Sequence, residues 1–208
     1  MRVLVFGDSI TQGFWDTKGG WASRVREYFD SQKVTGFDST SPIIFNLGIS
    51  GNKSDDLLAR LENETKVRVA KELAFIIAIG VNDTKTQSGI NYSNTGRYKQ
   101  NLSKILDKAK KYSDKIMFVG LTPCGEGDLT FLEWGENKYT NDRIKKFDDT
   151  LHQFCLENQV PLVKIYEPFL EAKASAKLLE DGLHPNDEGH QFIAELVLPK
   201  LKTLIAEK

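Results

Sequence analysis

Three residue types in this chain combine into a candidate nucleophilic site: a serine at a strand end, a histidine in a late turn, and an aspartate just before it. Ser9 follows the apolar run Val3-Leu4-Val5-Phe6 and then Gly7-Asp8. A buried strand ending this way projects its next side chains into the crevice where open α/β sheets bind ligands. In that context alone, Ser9 is either a helix cap or a nucleophile. A serine hydroxyl needs a base to take its proton, usually a neutral imidazole, which a carboxylate commonly holds in one tautomer. Of the 3 histidines, His152 and His190 fall in helical segments and read as surface or partly packed side chains. His184 precedes Pro185, which biases it towards an extended conformation, and it follows Asp181-Gly182 in a turn. Asp181 is near enough along the chain to reach its ring. A lone Asp-x-x-His is weak, because a capping aspartate beside a loop histidine looks identical.

Acyl transfer also needs donors for an oxyanion, often backbone N–H groups and an amide side chain. Asn46-Leu47-Gly48-Ile49-Ser50-Gly51 ends one apolar run with glycines that let a ligand approach the backbone. Gly80-Val81-Asn82-Asp83 ends another with an amide that could donate. Singly, each reads more readily as an ordinary turn. Asp8 and Asp83 read as turn-fixing carboxylates rather than catalytic groups. The hydroxyls of Thr11, Ser50 and Ser54 carry no catalytic expectation.

The elements that would position these residues follow from hydrophobic periodicity. Nearly continuous apolar runs at 3–6, 43–47, 73–79, 116–121 and 160–165 suit parallel strands covered on both faces. Helical spacing links Trp21, Val25, Tyr28 and Phe29; Leu102, Ile105, Leu106, Ala109 and Tyr112; and Ile144, Phe147, Leu151, Phe154 and Cys155. Another helix starts with Leu57, Leu58 and Leu61 after Ser54 as N-cap. A last helix runs from about residue 187 to the end, where Pro199 should kink or interrupt it. Residues 31–42 read as a loop. Residues 84–95 and 122–137 read as longer irregular stretches flanking the site, with Tyr92, Phe131, Trp134 and Trp15 as candidate apolar walls. This alternation predicts a single α/β domain over 1–208, three-layer α/β/α and flavodoxin-like, with a five-stranded parallel sheet.

Taken together, GDSIT at 7–11, NLGISG at 46–51, GVND at 80–83 and DGLHPN at 181–186 are specific. Their order and content resemble the SGNH hydrolases, also called the GDSL esterase/lipase family, over nearly the whole chain. The family's Ser, Gly, Asn and His match Ser9, Gly48, Asn82 and His184; Ile10 replaces the Leu of the family name. The resemblance implies Ser9 as nucleophile, His184 as base and then acid, and Asp181 as its orienting carboxylate. It implies an oxyanion hole of the Ser9 and Gly48 N–H groups and the Asn82 side chain. The activity implied is hydrolysis of carboxylic esters through an acyl-enzyme, with no metal or organic cofactor. The short chain, without a lid insertion, favours small soluble or short-chain acyl substrates such as acetyl esters. Lysophospholipase or thioesterase activity within the family, or a non-catalytic binding module on the same fold, are the alternatives.

Other classes fit poorly. A P-loop needs GxxxxGK[ST], whereas Phe14 follows Gly13 here, and the dinucleotide fingerprint is absent. The α/β-hydrolase elbow GxSxG is also missing. The 3 histidines are too scattered for a zinc hydrolase, and 2 cysteines make no disulfide framework. A formal net charge of -1, from 28 basic and 29 acidic residues, gives no case for nucleic acid as partner. The run at 73–79 is far short of the ~20 residues that span a bilayer. The start of the chain lacks a secretory apolar region, so a cytoplasmic protein is expected.

Overall fold

The computed structural model describes residues 1–36, 41–125, 131–134, 136–172 and 175–206. Strand β1 (Arg2–Gly7) lies between β2 (Ile43–Gly48) and β3 (Leu73–Ala78), and β6 (Ile116–Val119) and β9 (Leu162–Val163) complete a parallel sheet. Its order is β2-β1-β3-β6-β9. That is the flavodoxin-like order, in which the chain winds one way from β1 to β2 and the other way from β3 onward. Val3, Leu4, Val5 and Phe6 are fully buried, as are Ala74 to Ile77 in β3. Continuous apolar runs form these strands because helices cover both faces of the sheet. The later strands are shorter than their apolar runs, since β9 pairs with β6 through only Leu162 and Val163.

Helix α2 (Gly20–Gly36) packs against α7 (Asp187–Ala206) on one side. On the other, α3 (Ser54–Lys66), α4 (Thr95–Lys110) and α5 (Asn141–Asn158) pack in series. A four-residue helix, α1 (Ser9–Gln12), follows β1, and α6 (Tyr166–Glu171) follows β9. Asn94 and Thr140 cap α4 and α5 by accepting from Arg97 N–H and Arg143 N–H.

Four expectations are corrected. Residues 31–36 continue α2 instead of starting a loop, and 37–40 lie outside the described residues. Ser54 is the first residue of α3, and Lys53 holds the cap position. Pro199 does not end α7, which runs through it to Ala206. Residues 84–95 and 122–137 are not simply irregular. They supply β4 (Thr86–Gln87), β5 (Ile90–Asn91), β7 (Phe131–Trp134) and part of β8 (Asn137–Thr140). These strands form a second, antiparallel sheet in the order β5-β4-β8-β7. Strands of two to four residues are too short to carry a readable alternation.

One buried carboxyl outside the site tests the packing. Asp148, on α5, accepts a hydrogen bond from Leu121 N–H at 2.8 Å. Burial pushes its pKa from 3.8 up to about 6, although that bond pulls it down. The native state therefore holds this proton more tightly than the unfolded chain does. Stability from this group is greatest below about pH 4 and falls as the pH rises to about 6. Asp148→Asn keeps an acceptor for Leu121 and cannot ionise. Thermal melts should show the variant more stable at pH 8 by roughly 1–3 kcal/mol, with the gain vanishing towards pH 4.

Candidate active site

The switch between opposite winding directions lies between β1 and β3, and two of the groups predicted for chemistry, Ser9 and Asn82, follow those two strand ends. Gly7 pairs with Gly48 on one side and with Ala78 on the other, so three strand ends stand level. A Cβ on Gly7 would come within 2.0 Å of Thr11 Oγ1 and 2.6 Å of the Ala78 carbonyl oxygen. Only glycine lets α1 fold back so tightly over the strand. Asp8 caps α1 by accepting from Ile10 N–H at 3.0 Å, the turn-fixing role expected of it. Burial raises the Asp8 pKa to about 6, against the hydrogen bonds to Ile10 and Thr11 that lower it.

Ser9, the first residue of α1, is brought against His184 from the far end of the chain. Its Oγ lies 2.9 Å from His184 Nε2, and His184 Nδ1 lies 2.7 Å from Asp181 Oδ2. The carboxylate can only accept, which puts the proton on Nδ1 and leaves Nε2 to accept from the serine hydroxyl. Asp181 Oδ1 also receives Leu183 N–H at 3.0 Å and His184 N–H at 2.8 Å, so the 181–184 turn closes on its own carboxylate. The indole N–H of Trp15 donates to Oδ2 at 2.7 Å. Partial burial alone would raise the Asp181 pKa. The bonds from the His184 ring and N–H, from Trp15 and from Leu183 overcome it and hold the carboxyl well below the usual range.

Phe14 stacks on the His184 ring with centroids 5.3 Å apart. His190, expected to be a surface or partly packed residue, is fully buried. Its Nδ1 accepts from Trp21 N–H at 3.2 Å, and its Nε2 donates to the Phe14 carbonyl at 2.9 Å. That pairing needs the neutral ring, and burial lowers the His190 pKa accordingly. The helical spacing of His190 contained no sign of these partners, which come from α2 and the loop after α1. Thr17 donates through N–H and Oγ1 to Asp187, fastening the same loop to the start of α7.

Asn82 lies on a 3₁₀ turn (Val81–Thr84) directly after β3. Its Nδ2 donates to the Asn52 carbonyl at 3.1 Å, and its Oδ1 accepts from Tyr139 Oη at 3.2 Å. The Tyr139 contact fixes which way the amide faces and leaves one Nδ2 hydrogen for another acceptor. Tyr139 sits on β8 and was not singled out from sequence, because the second sheet was not legible there. Asp83 fastens the turn to α3 by accepting from Ser54 N–H at 2.8 Å and Ser54 Oγ at 2.5 Å. It thereby satisfies a donor at the α3 N-terminus that no local cap reaches. Burial raises the Asp83 pKa to about 6, partly offset by the Ser54 bonds.

Gly48 is the exception among the predicted donors. Ile49 N–H bonds to the Gly7 carbonyl at 3.1 Å, so Gly48 N–H faces the other side of the strand. Asn46 Oδ1 takes it there at 3.0 Å. A Cβ on Gly48 would fall 2.3 Å from Gln12 N, so this glycine serves the close packing of α1 on β2. The open position of the loop is Gly51, at φ 77°. Ser50 N–H is tied to Gln12 Oε1 and the Asn52 carbonyl to Asn82, which places Gly51 between α1 and the Asn82 turn.

Of the candidate walls, Trp15 and Tyr92 remain 55% and 41% exposed, so neither is a core residue. The side chains of Phe131 and Trp134 lie outside the described residues. The described residues contain no group of three or more His, Cys, Asp or Glu side chains placed to hold a metal ion. No described helix is long and apolar enough to cross a membrane.

Comparison with known proteins extends the fold. An uncharacterized protein of Bacillus subtilis, YpmR, is 24% identical over 213 residues, covering 96% of this chain and 81% of that protein. The crystal structure of a lipase/acylhydrolase from Enterococcus faecalis superposes with a TM-score of 0.77 at 20% identity, covering 97% of this chain and 95% of that one. The acetyl xylan esterase AlAXEase gives a TM-score of 0.75 at 21% identity, covering 96% and 99%. The GDSL-like lipase/acylhydrolase family matches residues 5–192, from the first strand into the last helix, and the chain belongs to that family.

Proposed function

We propose that this protein is a serine esterase that cleaves carboxylic esters through an acyl-enzyme. The observation that carries this reading is the continuous chain from Ser9 Oγ through the His184 ring to Asp181, with links of 2.9 and 2.7 Å. Ser9 Oγ attacks the ester carbonyl while His184 Nε2 takes its proton. Asp181, kept ionised by its donors, stabilises the imidazolium that forms. The proton then passes to the departing alcohol oxygen. A water molecule next loses its proton to the same nitrogen and attacks the acyl carbonyl, restoring Ser9.

In both steps the negative oxygen would be met by the free hydrogen of Asn82 Nδ2 and by the Ser9 N–H, which has no acceptor within α1. Gly51 N–H replaces Gly48 N–H as the third donor in this reading, because the latter is turned away and occupied. Small soluble or short-chain acyl substrates such as acetyl esters suit the surroundings. The cavity next to Asp8, lined mostly by apolar side chains such as Trp21, Val81 and Ile193 with Thr11 and Thr122 among them, holds about 20 Å³, too little for an acyl chain. The acyl group would instead lie on the open face beside Trp15.

Two experiments test the reading. A fluorophosphonate should label the protein at Ser9, and Ser9→Ala should lose the label and at least about a thousandfold in kcat on para-nitrophenyl acetate. Undiminished cleavage by that variant would remove Ser9 from the mechanism. Tyr139→Phe should lower kcat about tenfold, because the amide is no longer held, while KM changes less than about twofold. A loss confined to KM would mean that Tyr139 shapes ground-state binding instead.

A further inference from the structure

Two lysines converge on one aromatic ring beside the Asn82 turn. Lys53 follows Asn52, whose carbonyl holds Asn82 Nδ2. Lys85 closes the 3₁₀ turn that carries Asn82, with its N–H directed at the Asn82 carbonyl at 3.4 Å. Lys53 Nζ stands 5.4 Å from the Tyr92 ring centroid, and Lys85 Nζ stands 4.3 Å from it. The ring is held at both ends: Tyr92 N–H donates to the Lys85 carbonyl at 3.0 Å, and its hydroxyl donates to Gln87 Oε1. Behind it, β4 and β5 pair in register through Thr86 with Asn91 and Gln87 with Ile90. Their two-residue connection, Ser88 and Gly89, has positive φ at both positions, a tight hairpin that fixes the platform.

The two ammonium groups at this corner are unequally paired. Lys53 has Asp56 at 3.4 Å, a half-exposed partner on the next helical turn, and its charge also reaches Asp55 and Asp83. Lys85 is half-buried and has no carboxylate partner among the described residues. Burial lowers its pKa, and the nearby Lys53 charge lowers it further. A ring face attracts an ammonium but accepts none of its three hydrogen bonds conventionally. Two like charges gathered on one ring repel, and an anion between them would relieve that repulsion. Since the whole chain carries a net charge of only -1, this is a local field and not a general one.

We propose that Lys53, Lys85 and Tyr92 form a subsite for an anionic group on the substrate. The group is a carboxylate or phosphate carried a short distance from the scissile carbonyl, with the intervening carbons lying on the Tyr92 face. This rests on the esterase reading above, since the subsite is placed by its nearness to Asn82.

Paired substrates test it with the full chain. Para-nitrophenyl adipate is compared with its methyl ester, which places a carboxylate on the acyl side. Acetyl glycerol phosphate is compared with acetylglycerol, which places a phosphate on the alcohol side. The readout is the ratio of kcat/KM between charged and neutral partners within each protein, so general damage from a substitution cancels. Wild type should favour the charged partner in at least one pair by about tenfold. Lys53→Met with Lys85→Met should bring that ratio close to one, Lys85→Arg alone should retain it, and added salt should diminish it. Whichever pair responds identifies the anion and its side of the ester. Turnover of neutral esters with no charge preference, or a preference that the double variant keeps, overturns the subsite and leaves the esterase standing. No turnover of any ester overturns the esterase reading and the subsite with it.

Discussion

The placement of β1 between β2 and β3 is the constraint on which the rest of this molecule depends. A strand buried on both faces and paired on both edges has its register set by all four neighbours at once. Gly7, Gly48 and Ala78 consequently end at one level. The winding direction reverses between β1 and β3, so no crossover covers the space above their ends. Ser9 and Asn82 leave the sheet into that space. The glycine at position 7 lets α1 turn at once, keeping the serine over the strand end instead of carrying it into solvent.

Around this crevice the same residue type is shifted in opposite directions by the balance between burial and the donors it meets. Asp181 receives four hydrogen bonds, from two N–H groups, an imidazole and an indole, and stays ionised. Asp8 and Asp83 are more deeply buried, and their pKa values rise to about 6. Burial penalises the charge in each case, and the donors decide the balance. The fastening of one loop to the next is equally polar. His190 joins the loop after α1 to α2 and α7, and Asp83 joins the Asn82 turn to α3. Such buried pairings hold side chains in one geometry, which a site of this kind requires.

The small antiparallel sheet adds to this frame from segments that carry little pattern of their own. Tyr139 reaches the Asn82 amide from β8, and Tyr92 presents its ring beside Lys53 and Lys85. In sequence, Tyr139 is one polar-flanked aromatic among several, and its partner is 57 residues away. Nothing in local spacing reports a contact of that separation. The Gly48 expectation failed for a related reason. A run containing both Gly48 and Gly51 shows that backbone is accessible, but the alternation of a paired strand decides which N–H faces the crevice.

By itself the sequence determined the five parallel strands, the helices between them, and the order of the four motif blocks. Those follow from hydrophobic periodicity and from turn residues, which act over a few neighbouring positions. It also placed Asp181 within reach of His184, since both groups lie within one turn. Only the tertiary structure decided the remainder. Ser9 meets His184 across 175 residues of chain because β1 and the start of α7 pack at the same end of the sheet. It decided that Ser54 pairs with Asp83 instead of capping its own helix, that His190 is a buried clamp, and that Gly48 faces away. These are contacts between distant segments, and their energies depend on register and burial that no local pattern encodes.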